Sequence, residues 1–243
     1  MIQVTIIIAT YNASSLLPQA LESVLTQRFQ NWECLIVDGA STDGTLDIIT
    51  RYENRDRRFR HISEPDRGIY DAFNKGVREA RGEWIHFLGS DDTLTPDSFC
   101  SLLEQAEGTE AEVISGSINT IKADGACDLL KSKSWEGCHQ AKLTRRSAIL
   151  QMGGFDLRYR ISADLDLNVR MRVAGLTCED YDTPPMCNFI LGGQSQKISN
   201  FHYILSEYFE IFSKDSAIRH PKLKSLYIVG RMFAANLYHQ LRK

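Results

Sequence analysis

Residues 4–9 form an unbroken, mostly β-branched apolar run, the pattern of a strand covered on both faces. Ser14-Ser15 then opens a helix whose stripe is Leu16, Leu17, Ala20, Leu21, Val24 and Leu25. The alternation repeats. Residues 33–37 read as a second buried strand ending at Asp38, and Thr42-Asp43-Gly44-Thr45 starts a helix through Ile48, Ile49 and Tyr52. A short strand at residues 59–62 precedes a loop at 63–68 and a helix from Ile69 to about residue 81. Residues 83–88 are a further buried strand, followed by a helix at 96–107 and a strand at 112–115. Strands alternating with helices predict a doubly wound α/β sheet.

After Gly116 the pattern changes. Residues 118–122 and 129–133 read as strands around a turn at Ala123-Asp124-Gly125, residues 163–174 as a helix, and everything from Asn200 as two helices split at Pro221. No Pro-, Gly- or Ser-rich linker and no repeat divides the chain. The expected organisation is one domain over residues 1–197, in halves 1–116 and 117–197, with a helical extension at 198–243.

Three strands end in small and polar residues: Ala9-Thr10-Tyr11-Asn12, Asp38-Gly39-Ala40-Ser41 and Ser90-Asp91-Asp92. In an open α/β sheet, ligands collect beyond these ends. Asp38 can accept hydrogen bonds from a ribose or a base, and the small residues after it let a ligand approach the backbone. Asp91 and Asp92 lie too far upstream to cap the helix begun by Thr95-Pro96-Asp97, and adjacent carboxylates can hold a cation that in turn binds phosphate. Residues 39–45 mimic P-loop spacing, but Thr45 stands where that motif needs Lys, and Gly-x-Gly-x-x-Gly does not occur.

Two further segments could complete a site. In residues 64–76, a helix packed normally would bring Arg67, Asn74, Lys75 and Arg78 toward the same edge, where cations could meet a diphosphate. Gly153-Gly154-Phe155-Asp156 precedes Ser162-Ala163-Asp164-Leu165-Asp166-Leu167, which begins a helix. An acid in a first turn commonly serves the helix dipole, a reading that weighs most for Asp166; Asp164 can face the sheet edge and take a proton from an attacking hydroxyl.

Composition narrows the classes. Hydrophobic residues at 43% and charged residues at 24% are those of an ordinary soluble protein, and 28 Lys and Arg against 31 Asp and Glu give no nucleic-acid signature. No apolar run reaches the ~20 residues of a membrane span, and the N-terminus reads as a strand, so a cytoplasmic location is expected. The six cysteines and six histidines show no metal-ligand spacing, which makes free thiols the expectation and argues against zinc. From Arg219 onward Lys222, Lys224, Arg231, Arg242 and Lys243 face no acid. That segment reads either as a packing helix with solvated lysines or as a contact with the inner face of the cytoplasmic membrane.

Residues 4–12, 37–45, 64–71, 90–92, 153–156 and 163–167, in this order and spacing, resemble a bacterial family 2 glycosyltransferase of GT-A fold, with a mixed doubly wound sheet, over roughly residues 2 to 195. The resemblance implies inverting transfer of a hexose from a nucleotide-sugar, a UDP-sugar, to an acceptor hydroxyl on a lipid-linked glycan in cell-surface polysaccharide synthesis. Asp38 would hold the uracil, walled by Thr10, Tyr11 and Asn12, with Ser41 beside it. Arg67, Asn74 and Arg78 would serve the donor, Asp91 the ribose or donor sugar, and Asp92 would bind Mg2+ or Mn2+. Asp164 would be the general base, with Asp166 a substrate contact or rival base. Gly39 stands where the family often has a second Asp, and Ala163 where it often has Glu. His139-Gln140 and Gly192-Gly193-Gln194-Ser195 resemble acceptor-side and lid segments, a structural role being equally open. A sugar-nucleotide pyrophosphorylase would want a glycine-rich basic loop after the first strand, which Thr10-Tyr11-Asn12-Ala13-Ser14 is not; a non-catalytic nucleotide- or glycan-binding module is the other alternative.

Overall fold

The computed structural model of the chain describes residues 2–131, 135, 138–193 and 197–241. Lys133, Gln194, Ser195, Arg242 and Lys243, named in the expectations above, lie outside them. Four strands pair in parallel in the order β3 (Phe59–Ser63), β2 (Trp32–Asp38), β1 (Val4–Thr10), β4 (Trp84–Leu88). Successive side chains of a strand point to opposite faces, and the unbroken apolar run of β1 serves two cores. Ile6 and Ile8 pack toward α1 (Leu17–Leu25), α2 (Thr45–Arg55) and α4 (Cys100–Gln105), whereas Ile7 joins α3 (Ile69–Glu79), α5 (Arg146–Gln151) and α6 (Ala163–Val173). This is the three-layer arrangement that the alternation predicted.

Beyond β4 the sheet turns mixed. β8 (Lys142–Arg145) enters antiparallel between β4 and β6 (Val113–Ile121), so the strand expected at 112–115 is not the next parallel neighbour. β6 also runs on through Gly116, where the pairing with β9 (Cys178–Ile190) shifts register. A Cβ there would collide with the Thr183 hydroxyl, and the glycine marks a bulge where the sequence suggested a boundary. β9 was not foreseen, because Pro184-Pro185 and its run of acids argue against a strand; register shifts accommodate Pro185 opposite Ser117. β7 (Cys127–Lys131) pairs with β6, and β5 (Thr93–Leu94) with β9.

The two C-terminal helices are α7 (Phe201–Ser213) and α8 (Pro221–Leu241), with the break at Pro221 as expected. All six cysteines are free; Cys34 and Cys187 are buried, and Cys127 is exposed. No described helix is long and apolar enough to cross a membrane.

Candidate active site

The parallel register sets Thr10, Asp38 and Ser63 side by side across the ends of β1, β2 and β3. Asp38 is fully buried, and its carboxylate accepts from Thr10 Oγ1 (3.1 Å), Ser63 Oγ (2.8 Å), the Ser41 N–H (2.9 Å) and Ser41 Oγ (2.5 Å). Burial works against its charge, yet these donors outweigh it and hold the carboxyl below the usual range. In this state Asp38 organises the edge, and a ligand reaching it must take the place of a serine hydroxyl. Tyr11 stands out beside it, 67% exposed, and Asn12, at φ 49°, ties the two loops by donating its N–H to Ser41 Oγ (2.8 Å) and accepting the Thr42 N–H (2.9 Å). Gly39 has a spatial reason: a Cβ on it would lie 2.7 Å from Asp66 Oδ2. The Asp66 carboxylate thus lies beside position 39, where the sequence has no carboxylate of its own.

Next to this edge lies a cavity of about 970 Å³, lined by Arg67, Asp91, Asp92, His139, Gln140 and Asp164 among others. Asp91 and Asp92 curl back over Gly89, where a Cβ would meet Asp92 Oδ2 at 2.6 Å and Asp91 Oδ1 at 2.8 Å, so the two carboxylates converge on one place. Asp92 is 1% exposed and, among the described residues, accepts only the Ile190 N–H (2.8 Å) and Gln140 Nε2 (3.3 Å). Desolvation, with the charge of Asp91, pushes its carboxyl up to about 6. Among the described residues, neither acid has a Lys or Arg ion-pair partner. A buried, under-compensated carboxylate with a second acid at its side fits a divalent cation. No third His, Cys, Asp or Glu joins them among the described residues, which suits an ion completed by substrate phosphates and water.

Asp164, in the same lining, is held from two sides. The Tyr70 hydroxyl lies 3.1 Å from Asp164 Oδ1 and 2.6 Å from the Ile161 carbonyl oxygen, sharing its proton between them, while His139 Nδ1 lies 3.2 Å from Asp164 Oδ2. Burial opposes the charge of Asp164, but His139 foremost, then the Leu165 N–H and Tyr70, keep its carboxyl below the ordinary value. The imidazole is fixed edge-on to Phe73 and Phe87. Its neighbour Gln140 reaches Asp92, so one 3-10 turn, His139–Ala141, touches both acid centres.

Other predicted residues fall elsewhere. Asp166 does not line the cavity: it is fully buried, with Oδ2 paired to Arg170 (2.6 Å) and Oδ1 to Lys214 (2.6 Å), and so is neither a free base nor a substrate contact in this structure. Asn74 clamps Phe155 through its N–H (2.8 Å) and carbonyl (2.9 Å), which explains the Gly-Gly-Phe turn rather than a donor contact. Arg78 is exposed near the C-terminal end of α3. That end runs away from the sheet edge, roughly 13 Å of helix beyond Ile69. Lys75 pairs with Glu64 (2.9 Å). Only Arg67 of that set reaches the cavity; Asp71 accepts its N–H (3.1 Å) and pairs with its guanidinium (3.3 Å).

Tyr70 and Glu207 were not foreseen as site residues. Tyr70 sits in a stripe with Phe73 and Val77 and reads as core. Glu207 accepts the N–H groups of Arg160 (2.6 Å), Ile161 (3.3 Å) and Ser162 (2.9 Å), a role that no linear spacing announces.

Comparisons with known proteins bear on the family and the fold. The family model described as Glycosyl transferase family 2 matches residues 5–156. The PGL/p-HBAD biosynthesis glycosyltransferase of Mycobacterium tuberculosis is 38% identical over 175 residues, 68% of this chain and 68% of that one. Among solved structures, S. aureus TarS 1-349 in complex with UDP-GlcNAc superposes at TM-score 0.74 with 15% identity, over 98% of this chain and 73% of that one. The mannosyltransferase PcManGT from Pyrobaculum calidifontis, in complex with GDP-Man and Mn2+, gives TM-score 0.68 with 18% identity, over 99% and 75%. The two structural likenesses speak for the fold, which is GT-A. The chain belongs to glycosyl transferase family 2 and is a glycosyltransferase.

Proposed function

We propose that the chain is an inverting, metal-dependent hexosyltransferase that moves a sugar from a UDP-sugar to a hydroxyl of a glycan in cell-surface polysaccharide synthesis. The observation that carries this reading is that the Asp91-Asp92 pair and Asp164 face one cavity, so that a diphosphate on one wall and a hydroxyl on the other can meet. The UDP-GlcNAc of TarS and the GDP-Man and Mn2+ of the mannosyltransferase support a nucleotide-sugar and a divalent ion for this fold. The name of the mycobacterial relative, a biosynthesis glycosyltransferase, supports a biosynthetic transfer.

The nucleoside lies at the row Thr10, Asp38 and Ser63, with Tyr11 over the base and Asp66 in reach of the ribose. Arg67, locked to Asp71, faces the diphosphate. Asp92, with Asp91, would hold Mg2+ or Mn2+, which when bound neutralises charge growing on the leaving diphosphate. Asp164 takes the acceptor proton as the hydroxyl oxygen bonds to the anomeric carbon. The bond from that carbon to the diphosphate breaks with its electron pair leaving on oxygen, and a single displacement inverts the centre. His139 and Tyr70 fix the direction of the accepting lone pair.

The test is transfer from a panel of UDP-, GDP- and dTDP-hexoses to glycan acceptors, with the product anomer read by NMR. The account expects a UDP-hexose donor and an inverted linkage. A product that retains the donor's configuration contradicts it.

A further inference from the structure

Helix α8 presents two faces of unlike chemistry. Ser225, Val229 and Phe233 turn inward, the last two packing with Ile204 of α7. On the other side, Leu223, Leu226 and Tyr227 are 65%, 54% and 63% exposed, and their spacing of three and four residues makes one stripe. Exposed Lys222 and Arg231 flank the stripe, and exposed Arg219 precedes it. The Lys222 ammonium lies 5.2 Å from the ring centre of Phe209, which is itself 36% exposed, and Arg231 donates to the Tyr227 hydroxyl at 3.1 Å. No Asp or Glu occurs from Ser216 to the end of the sequence.

We propose that this face of α8 docks on the surface of an anionic lipid bilayer. The apolar stripe enters the boundary between headgroups and acyl chains, while Lys222, Arg231 and Arg219 meet anionic headgroups. Charge selects this occupant. A second copy seated on the stripe would bring like cations together, whereas an anionic surface complements every charge on it. Three apolar side chains make a shallow contact, and reversible binding then needs both signals, apolar and ionic. The same two helices wall the cavity with Tyr203, Ile204, Tyr208 and Met232, so docking brings that wall beside the lipid surface.

The test is co-sedimentation of the full chain with vesicles of phosphatidylcholine, and with vesicles in which part of it is replaced by phosphatidylglycerol. It needs neither nucleotide nor acceptor, so its outcome is independent of the transfer reaction. The chain is expected to pellet with the anionic vesicles and to be released by salt. Replacing Lys222 and Arg231 together by Gln should lower partitioning by about thirtyfold, and replacing Leu223 and Leu226 by Ser by at least about tenfold. Since these side chains are exposed, the melting temperature should not move. Equal partitioning to both vesicle types, or indifference to the Leu pair, overturns the proposal. So does concentration-dependent dimerisation that Leu226→Asp abolishes in a chain that binds no vesicle, which assigns the stripe to a second copy.

Discussion

Glu207 Oε2 accepts the Ser162 N–H at 2.9 Å, so a residue of α7 fixes the start of the helix that carries Asp164. Together with the Lys214–Asp166 pair, this makes the C-terminal helices part of the scaffold for the cavity's far wall. Three backbone donors depend on one carboxylate. Glu207→Gln should cost about 1–3 kcal/mol, read as a lower denaturant midpoint at unchanged slope, and should weaken transfer more than nucleotide binding. An unchanged midpoint would show that the loop is held by other means.

Asp164 and Asp166, two residues apart, should separate cleanly. Asp164→Asn should keep nucleotide affinity and lose about 10²- to 10⁴-fold in turnover. Asp166→Asn should instead lower stability by about 3 kcal/mol, the low end for a broken buried pair because Arg170 and Lys214 are partly exposed. If Asp166→Asn folds normally and loses turnover, the two roles are exchanged.

His139 is the strongest influence holding the Asp164 carboxyl down, against the upward push of burial. Replacing it by Gln should raise that carboxyl's proton affinity. With Asp164 as the proposed base, the acidic limb of the kcat/KM profile should move to higher pH in the variant. A limb that stays in place removes His139 from the charge balance of the site.

His86 tests the fold rather than the site. Desolvation drives its imidazole from 6.5 down to about 4, with Nδ1 on the Lys142 carbonyl oxygen (3.0 Å) and Nε2 without a partner among the described residues. Between these values the unfolded chain binds a proton that the folded chain does not, and this residue's contribution to stability falls as pH drops. Relative to His86→Phe, the wild type should lose up to about 1.4 kcal/mol per pH unit from 6.5 toward 4, with no slope from this residue above 6.5. Parallel melting-temperature profiles for the two proteins would count against a buried neutral ring.

Local signals carried the parallel half of the fold. The β-branched run of β1 and the apolar stripes of α1 and α2 announced their partners because each is a contiguous period. Gly116 made β6 read as two strands, and Pro184-Pro185 hid β9, because bulges and register shifts break that period while the pairing continues. At the site, Asp92 and Asp164 were singled out from their position at a strand end and a helix start, and the structure brings both to the lining of one cavity. Asn74, Arg78 and Asp166 fall outside that lining in this structure, because motif membership does not say which way a helix carries a side chain. The approach of Asp66 to Gly39, and the hold of Glu207 on the loop at 160–162, join residues far apart in sequence and come only with tertiary structure.

The central claim is that Asp92 holds the ion that binds the donor diphosphate, and thermal unfolding with UDP and Mn2+ tests it most directly. At 100 times its dissociation constant, a ligand adds about 2.7 kcal/mol, which for a chain of this size raises Tm by about 5–10 °C. The account predicts this rise for the wild type with UDP and Mn2+ together, little with UDP and a chelator, and little for Asp92→Asn under either condition. Equal protection of Asp92→Asn and wild type, or protection indifferent to the chelator, contradicts it.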